Sequence, residues 1–457
     1  MPAPSCQCQC KMCRAPGASH CRSHPSCAAP RRAARPPERP APDARTIAEA
    51  LRRLKAGAGT HSPSVAELER ALPGVVQIDA CFLSNPYATD EVMRRLRAIE
   101  PRQLERMVSH YPSQSGAIAD VLAASAGVPA EQLVVGNGAC EVIAALLARA
   151  PGPLLICLPT FSAYYELAAG PVVPHRLDPA QGFRLDFEEL DALVTRHEPD
   201  TVVVINPNNP DGGLAAHDQL VAFVAATQGR VRQVIVDESF GAFSTLGEPR
   251  SLAPLVSELP HLVVVNSLSK SHGIAGLRLG YAVAAPLRAR RLRRASLWNL
   301  NAYAEWFCEL LADDGYRRAY DGVRRRYVRE ARKLFAALAE LPGATAHPSA
   351  ANFALLELDR PAAAVATELL VRHGVYVRDC GDKWGLDGGG FLRVAARRAS
   401  ENRHIHAALS DVLSRPQVVS ARQEAHGRRR VESRLTNVHA RRNPPTEVSD
   451  VRSPVHL

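Results

Sequence analysis

The chain of 457 residues is too long for one hydrophobic core, and its 46% hydrophobic share is that of a globular protein. The net charge of +10 sits at the ends, with +6 in residues 1–45 and +4 in residues 416–457, so the neutral 370 residues between do not argue for a nucleic-acid partner. No apolar run approaches the roughly 20 residues of a membrane span and no signal-peptide stretch opens the chain, which makes the cytoplasm the expected location.

Residues 1–45 hold six of the 11 cysteines (Cys6, Cys8, Cys10, Cys13, Cys21, Cys27) among Pro, Arg and Ala. The Cys10/Cys13 spacing would suit zinc, yet the segment has no pattern to fold around a metal, so a disordered extension without metal is expected. Residues 46–100 read as an N-terminal arm of the smaller domain, with helices around Thr46–Lys55 and Ser64–Leu72 and Ser64 as N-cap. Within 101–300, apolar runs alternate with helical stretches: Leu133–Val135, Leu154–Leu158, Val202–Ile205, Val234–Val236, Leu262–Val265 and Leu279–Val283. Such runs predict a mostly parallel sheet covered on both faces, with ligands beyond the carboxyl ends of its strands. Residues 301–415 predict a second lobe, with helices at Tyr316–Leu341 and Ala362–His373 and strands at Phe353–Leu358, Val375–Arg378 and Phe391–Ala395. Residues 416–457 read as a disordered basic tail. Cys81, Cys140, Cys157, Cys308 and Cys380 are scattered and read as free thiols in a reducing compartment.

Five segments at the strand ends carry chemistry. Gly136-Asn137-Gly138-Ala139-Cys140-Glu141 opens an apolar helix, where backbone N–H groups and the helix dipole favour an anion. Pro159-Thr160-Phe161 displays an aromatic ring able to stack on a flat ligand, and Asn206-Pro207-Asn208-Asn209-Pro210-Asp211-Gly212 is a double turn that displays Asn209. Asp237 ends an apolar strand, which is costly for an acid unless it is paired. The last segment is Ser267-Leu268-Ser269-Lys270, with Arg278 eight residues on. The chain has five lysines against 51 arginines, yet it keeps an amine here. An amine can form an imine once its pKa is lowered; a guanidinium cannot.

This order and spacing resemble the fold-type-I pyridoxal-phosphate enzymes, specifically the class I/II aminotransferases, and among them the histidinol-phosphate aminotransferase and threonine-phosphate decarboxylase group. The resemblance implies an α/β fold, with a large domain built on a mostly parallel seven-stranded sheet and a smaller α+β domain. It implies pyridoxal 5'-phosphate bound covalently by Lys270, with Ser267, Ser269, Arg278 and the backbone of Ala139 and Cys140 around its phosphate. Asp237 resembles the acid that keeps the pyridine nitrogen protonated, Asn209 the donor to the ring oxygen, and Phe161 the stacking ring. Phe240 stands where many aminotransferases have a tyrosine, which removes one hydrogen bond to that oxygen. Asp211 replaces the usual threonine of the Asn-Pro turn, with an effect left open.

Tyr111 resembles the tyrosine that reaches the phosphate of the other subunit, implying a homodimer. Asn85, in Leu83-Ser84-Asn85-Pro86-Tyr87, matches a substrate-side motif. Arg393, in Phe391-Leu392-Arg393-Val394, matches the substrate-anion arginine, and Arg378 is a second anion candidate. The resemblance implies an aminotransferase that exchanges an amino group between a small anionic amino acid, or a phosphorylated or phosphono amine, and an oxo acid. The alternatives are a decarboxylase of a phosphorylated amino acid, to which Phe240 and Leu297-Trp298-Asn299-Leu300-Asn301-Ala302 lean, or a cyclase or oxidase of secondary metabolism. Lys270, Asp237 and Arg278 together argue against a non-catalytic cofactor-binding domain.

Overall fold

Alternate residues of the apolar runs pack into opposite layers, the two-residue period of a strand buried on both faces. Val135, Leu155, Val202, Val234, Val264 and Val283 join one core, and Val134, Ile156, Val203, Ile235, Val263 and Ala282 join the other. This computed structural model describes residues 43–59, 61–295, 300–386 and 388–416. Residues 1–42 of the cysteine-rich extension, nearly all of the basic tail and Leu297-Trp298-Asn299 lie outside the described residues.

In chain order the strands are β1 (Ile78–Asp79), β2 (Leu133–Asn137), β3 (Leu154–Leu158), β4 (Val172–Arg176), β5 (Thr201–Ile205), β6 (Gln233–Asp237), β7 (Leu262–Ser267), β8 (Leu279–Ala284), β9 (Ala344–Ala346), β10 (Phe353–Leu358), β11 (Val375–Tyr376), β12 (Arg378–Asp379) and β13 (Phe391–Ala395). The seven-stranded sheet has the order β2-β8-β7-β6-β5-β3-β4. Only β8 runs antiparallel to its neighbours, β2 and β7. From β3 the chain moves outward to β4; from β5 it moves the opposite way to β6. The carboxyl ends of β3 and β5 therefore flank a crevice, the usual ligand position in such sheets.

A four-stranded sheet, β12-β13-β10-β9, forms the second layer system. It is covered by the 26-residue helix Asp314–Ala339, which buries Tyr327, Val328, Ala331, Leu334 and Leu338. β1 pairs in parallel with β11 and so ties the segment before the large sheet to the C-terminal part. No described helix is long and apolar enough to cross a membrane.

Two local expectations need correction. Val375–Arg378 is not one strand: Val375–Tyr376 pairs with β1, whereas Arg378 begins β12 against β13. β4 was not expected, because it carries Pro174 and is only partly buried. Both features belong to an edge strand, where a missing N–H leaves no ladder bond unmade.

The long helix also clamps the loop beyond β6. Arg324 is buried; its Nη1 donates to the carbonyls of Ala242 (3.0 Å) and Thr245 (2.8 Å). Its Nη2 donates to the carbonyl of Gly247 and to Asp321, at 2.8 and 2.9 Å. Charge-assisted bonds are worth roughly 1.5–3 kcal/mol each and do not add fully. Arg324→Met should therefore lower stability by about 3 kcal/mol in a denaturant titration. An unchanged midpoint would show that the loop holds without the clamp.

Candidate active site

Lys270 follows β7 on the short helix Leu268–Ser271, and its carbonyl accepts from the N–H of Asn85 at 3.0 Å. Burial first, then the guanidinium groups of Arg393 and Arg278, brings its amine down to about 8, against the opposite pull of Cys140 and Asp237. An unprotonated amine is thus within reach near neutral pH, as imine formation requires.

Asp237 ends β6 and is buried, which pushes its carboxyl up. Its Oδ1 accepts from the N–H of Ser239 at 2.9 Å, and its Oδ2 from the hydroxyl of Tyr164 at 2.9 Å. Tyr164 is fully buried. It is a site residue that the sequence reading missed, although its place one helical turn after Phe161 was an available signal.

The start of the helix Ala139–Leu147 has no side-chain cap, so its first N–H groups face the strand ends. Gly138 has φ +83°, and a Cβ there would lie 2.5 Å from Nη2 of Arg278. A Cβ on Gly280 would lie 2.3 Å from the nitrogen of Ala139. Ser267 and Ser269 are buried beside this opening, and Oγ of Ser269 has no hydrogen-bond partner among the described residues. A buried hydroxyl without a partner is costly. A phosphate oxygen would satisfy it. The cradle therefore fits the phosphate of pyridoxal phosphate, Asp237 fits its ring nitrogen, and Lys270 its aldehyde.

On the other side of the crevice, Arg393 of β13 stands directly opposite Arg378 of β12. Directly opposed residues share a face, and like charges so placed repel. Both side chains are buried. Arg378 donates to Asp382 at 2.8 Å and to Oγ of Ser62 at 3.1 Å. Arg393 donates to neutral oxygens, Oδ1 of Asn209 at 2.7 Å and the carbonyl of Cys81 at 2.9 Å, and its Nε has no partner among the described residues. Because arginine only donates, the oxygen of Asn209 must face it, and the amide nitrogen is left to donate elsewhere.

Lys383 was no candidate from sequence, because no motif marks it. It is buried and donates to the carbonyl of Thr160 at 3.2 Å. Burial first, then Arg378 and Arg393, brings its amine down to about 8 despite Cys380 and Asp382.

Phe161 meets Tyr164 edge-on at 6.5 Å. Phe240 is buried edge-on to Phe353 at 5.1 Å, and Arg393 lies over that same Phe353 ring. Asp211 closes its own turn, accepting from the N–H of Gly213 at 2.7 Å and from the amide of Asn208, while burial raises its carboxyl to about 6. Asn85 is placed behind the lysine turn. Its Oδ1 caps the helix Pro86–Leu96, and its Nδ2 donates to the carbonyl of Ser271. Tyr111 is not brought into this crevice; it is 89% exposed, beyond the helix Pro101–Ser109.

Residues 84–409 match the family model for aminotransferase class I and II. The chain is 34% identical to an L-serine phosphate decarboxylase of Campylobacter jejuni, over 81% of this chain and 97% of that protein. It is 35% identical to the L-serine phosphate decarboxylase of Sulfurospirillum multivorans, over 80% of this chain and 96% of the relative. A solved structure of a decarboxylase from Sulfurospirillum multivorans superposes with a TM-score of 0.75 at 34% identity, covering 81% of this chain and 97% of that one. Dependence on pyridoxal phosphate and the fold stand as expected. The expected amino transfer does not: these relatives are decarboxylases, so the reading as an aminotransferase is withdrawn.

Two outcomes test the site. Uptake of pyridoxal phosphate by the apo-protein should speed up as pH rises through about 8, the value for Lys270, because the amine loses its proton there; a flat profile would contradict that assignment. Tyr164→Phe removes a bond to a charged acceptor, so cofactor retention should weaken about tenfold in an absorbance titration. Unchanged retention would make Tyr164 a packing residue alone.

Proposed function

The chain belongs to the aminotransferase class I and II family of pyridoxal-phosphate enzymes, and on that premise we propose that it decarboxylates O-phospho-L-serine to O-phosphoethanolamine. The observation that carries this reading is its likeness to two decarboxylases of that substrate along nearly their whole lengths. The buried, directly opposed Arg378 and Arg393 support it, because a phosphorylated amino acid brings a second anion that an ordinary one lacks.

Pyridoxal phosphate, when bound, supplies the electron sink that accepts the pair of the bond being broken. The protein's residues decide which bond that is. Asp237 holds a proton on the side of the ring nitrogen, and Tyr164 fixes the orientation of its carboxylate. Arg393 and Arg378 grip the substrate phosphate in this reading. The α-carboxylate would then be left without an arginine, and its bond to Cα is the one that breaks. Lys270, with its lowered pKa, carries the proton that Cα takes up as carbon dioxide leaves. One carbon–carbon bond is lost, one carbon–hydrogen bond is made, and no oxidant or amino acceptor is needed.

We also read the active unit as a homodimer. Tyr111, Val108 and Leu104 expose apolar surface around the helix Pro101–Ser109, which buries none of its residues within one chain. A second copy would cover that face and receive Tyr111 at its cofactor phosphate.

Holoenzyme given O-phospho-L-serine should release carbon dioxide and phosphoethanolamine in equal amounts without building up the pyridoxamine form. Conversion to the pyridoxamine form with no carbon dioxide would sink the reading. Arg393→Lys loses the bidentate geometry. At roughly 1.5–3 kcal/mol for a charge-assisted bond, kcat/KM should fall about tenfold to a few hundredfold. Mixing Tyr111→Phe with Lys270→Ala protein should regenerate a site with both native residues and some activity; a fully active monomer by sedimentation would contradict the dimer.

A further inference from the structure

We propose that Lys383 is a substrate-phosphate ligand that selects phosphorylated over unphosphorylated substrates, a role that rests on the decarboxylase reading above. The loop that carries it is built to hold it at the crevice. Gly385, at φ +93°, packs so closely on the end of β3 that a Cβ would lie 2.9 Å from Cβ of Leu158 and 3.0 Å from the nitrogen of Pro159. Trp384 meets Tyr165 edge-on at 5.5 Å. Between these contacts, the ammonium of Lys383 reaches the carbonyl of Thr160, next to Phe161.

Among the described residues that bond is the one it makes, and an ammonium has three donors. Taking an ammonium out of water costs several kcal/mol unless an anion or several acceptors compensate. Lys383 and Arg393 both donate to neutral oxygens, and Arg378 is paired with Asp382. Two buried cations thus lack a hydrogen-bonded acid among the described residues, and a phosphomonoester brings about two negative charges at neutral pH. A carboxylate alone would balance one. Lysine's compact charge also suits a phosphate oxygen already shared with planar guanidinium groups.

The test is equilibrium binding of O-phosphoethanolamine and of ethanolamine to the holoenzyme, by calorimetry. Lys383→Gln keeps a donor for Thr160 but removes the charge, and Lys383→Met serves if the first variant does not fold. Either should weaken phosphoethanolamine binding about tenfold to a hundredfold and leave ethanolamine binding and the cofactor's absorbance unchanged. Unaltered phosphoethanolamine affinity would overturn the proposal. So would an equal loss for both ligands with a shifted absorbance, which would mean that Lys383 only positions Thr160 and Phe161. If the variant loses phosphoethanolamine while the native enzyme releases no carbon dioxide from O-phospho-L-serine, the phosphate subsite stands and the decarboxylase reading alone falls.

Discussion

Arg393 acts on Lys270 and on Lys383, with Arg278 reinforcing it at the first and Arg378 at the second, and this repulsion across the crevice is the constraint to which the surrounding structure answers. The lowered amines of Lys270 and Lys383 record it, since neighbouring guanidinium groups reinforce burial in both. Neutral acceptors hold the side chains in place, among them Asn209 and the carbonyls of Cys81 and Thr160. Hydrogen bonds to carbonyls orient a cation without cancelling its charge. A site so arranged keeps its attraction for phosphate while its geometry is already fixed.

The bond from Arg393 to Asn209 links two jobs usually described apart. In the proposed reading the guanidinium that meets substrate also fixes the Asn209 amide, turning its oxygen to Arg393 and leaving its nitrogen to donate elsewhere. Phe240 leans on Phe353, and Arg393 lies across that ring. Phe240, which stands where the resemblance expects a tyrosine, is therefore part of the packing that seats the arginine.

Much of this was legible in the sequence because the strand ends are marked by residues whose chemistry is hard to explain otherwise. Lys270, Asp237 and Asn209 each follow an apolar run, and the run fixes their position. Tyr164 was missed because a phenol on a short helix reads as packing until its acceptor is known. Lys383 was missed for a similar reason: its meaning comes from Arg378, five residues back, and from Thr160, 223 residues away in the chain. Asn85 caps a helix in the structure, a part that an Asn-Pro step signals as readily as a place beside substrate. Amino transfer and decarboxylation share their cofactor machinery, so the residues that announce the family say little about which bond breaks.

The phosphate cradle is assembled from segments far apart in the chain. Ser267 of β7 pairs with Gly280 of β8, and Gly280 in turn lets Ala139, at the start of the helix after β2, come into close approach. No one segment can bind phosphate by itself, because each supplies a part of the pocket and the space for the next. The cradle exists only once β2, β8 and β7 have joined, so a cofactor phosphate held there would recognise the finished sheet and not the unfolded chain. By mass action, free pyridoxal phosphate then acts as a reservoir of thermal resistance, raising the melting temperature of the whole protein as its concentration increases.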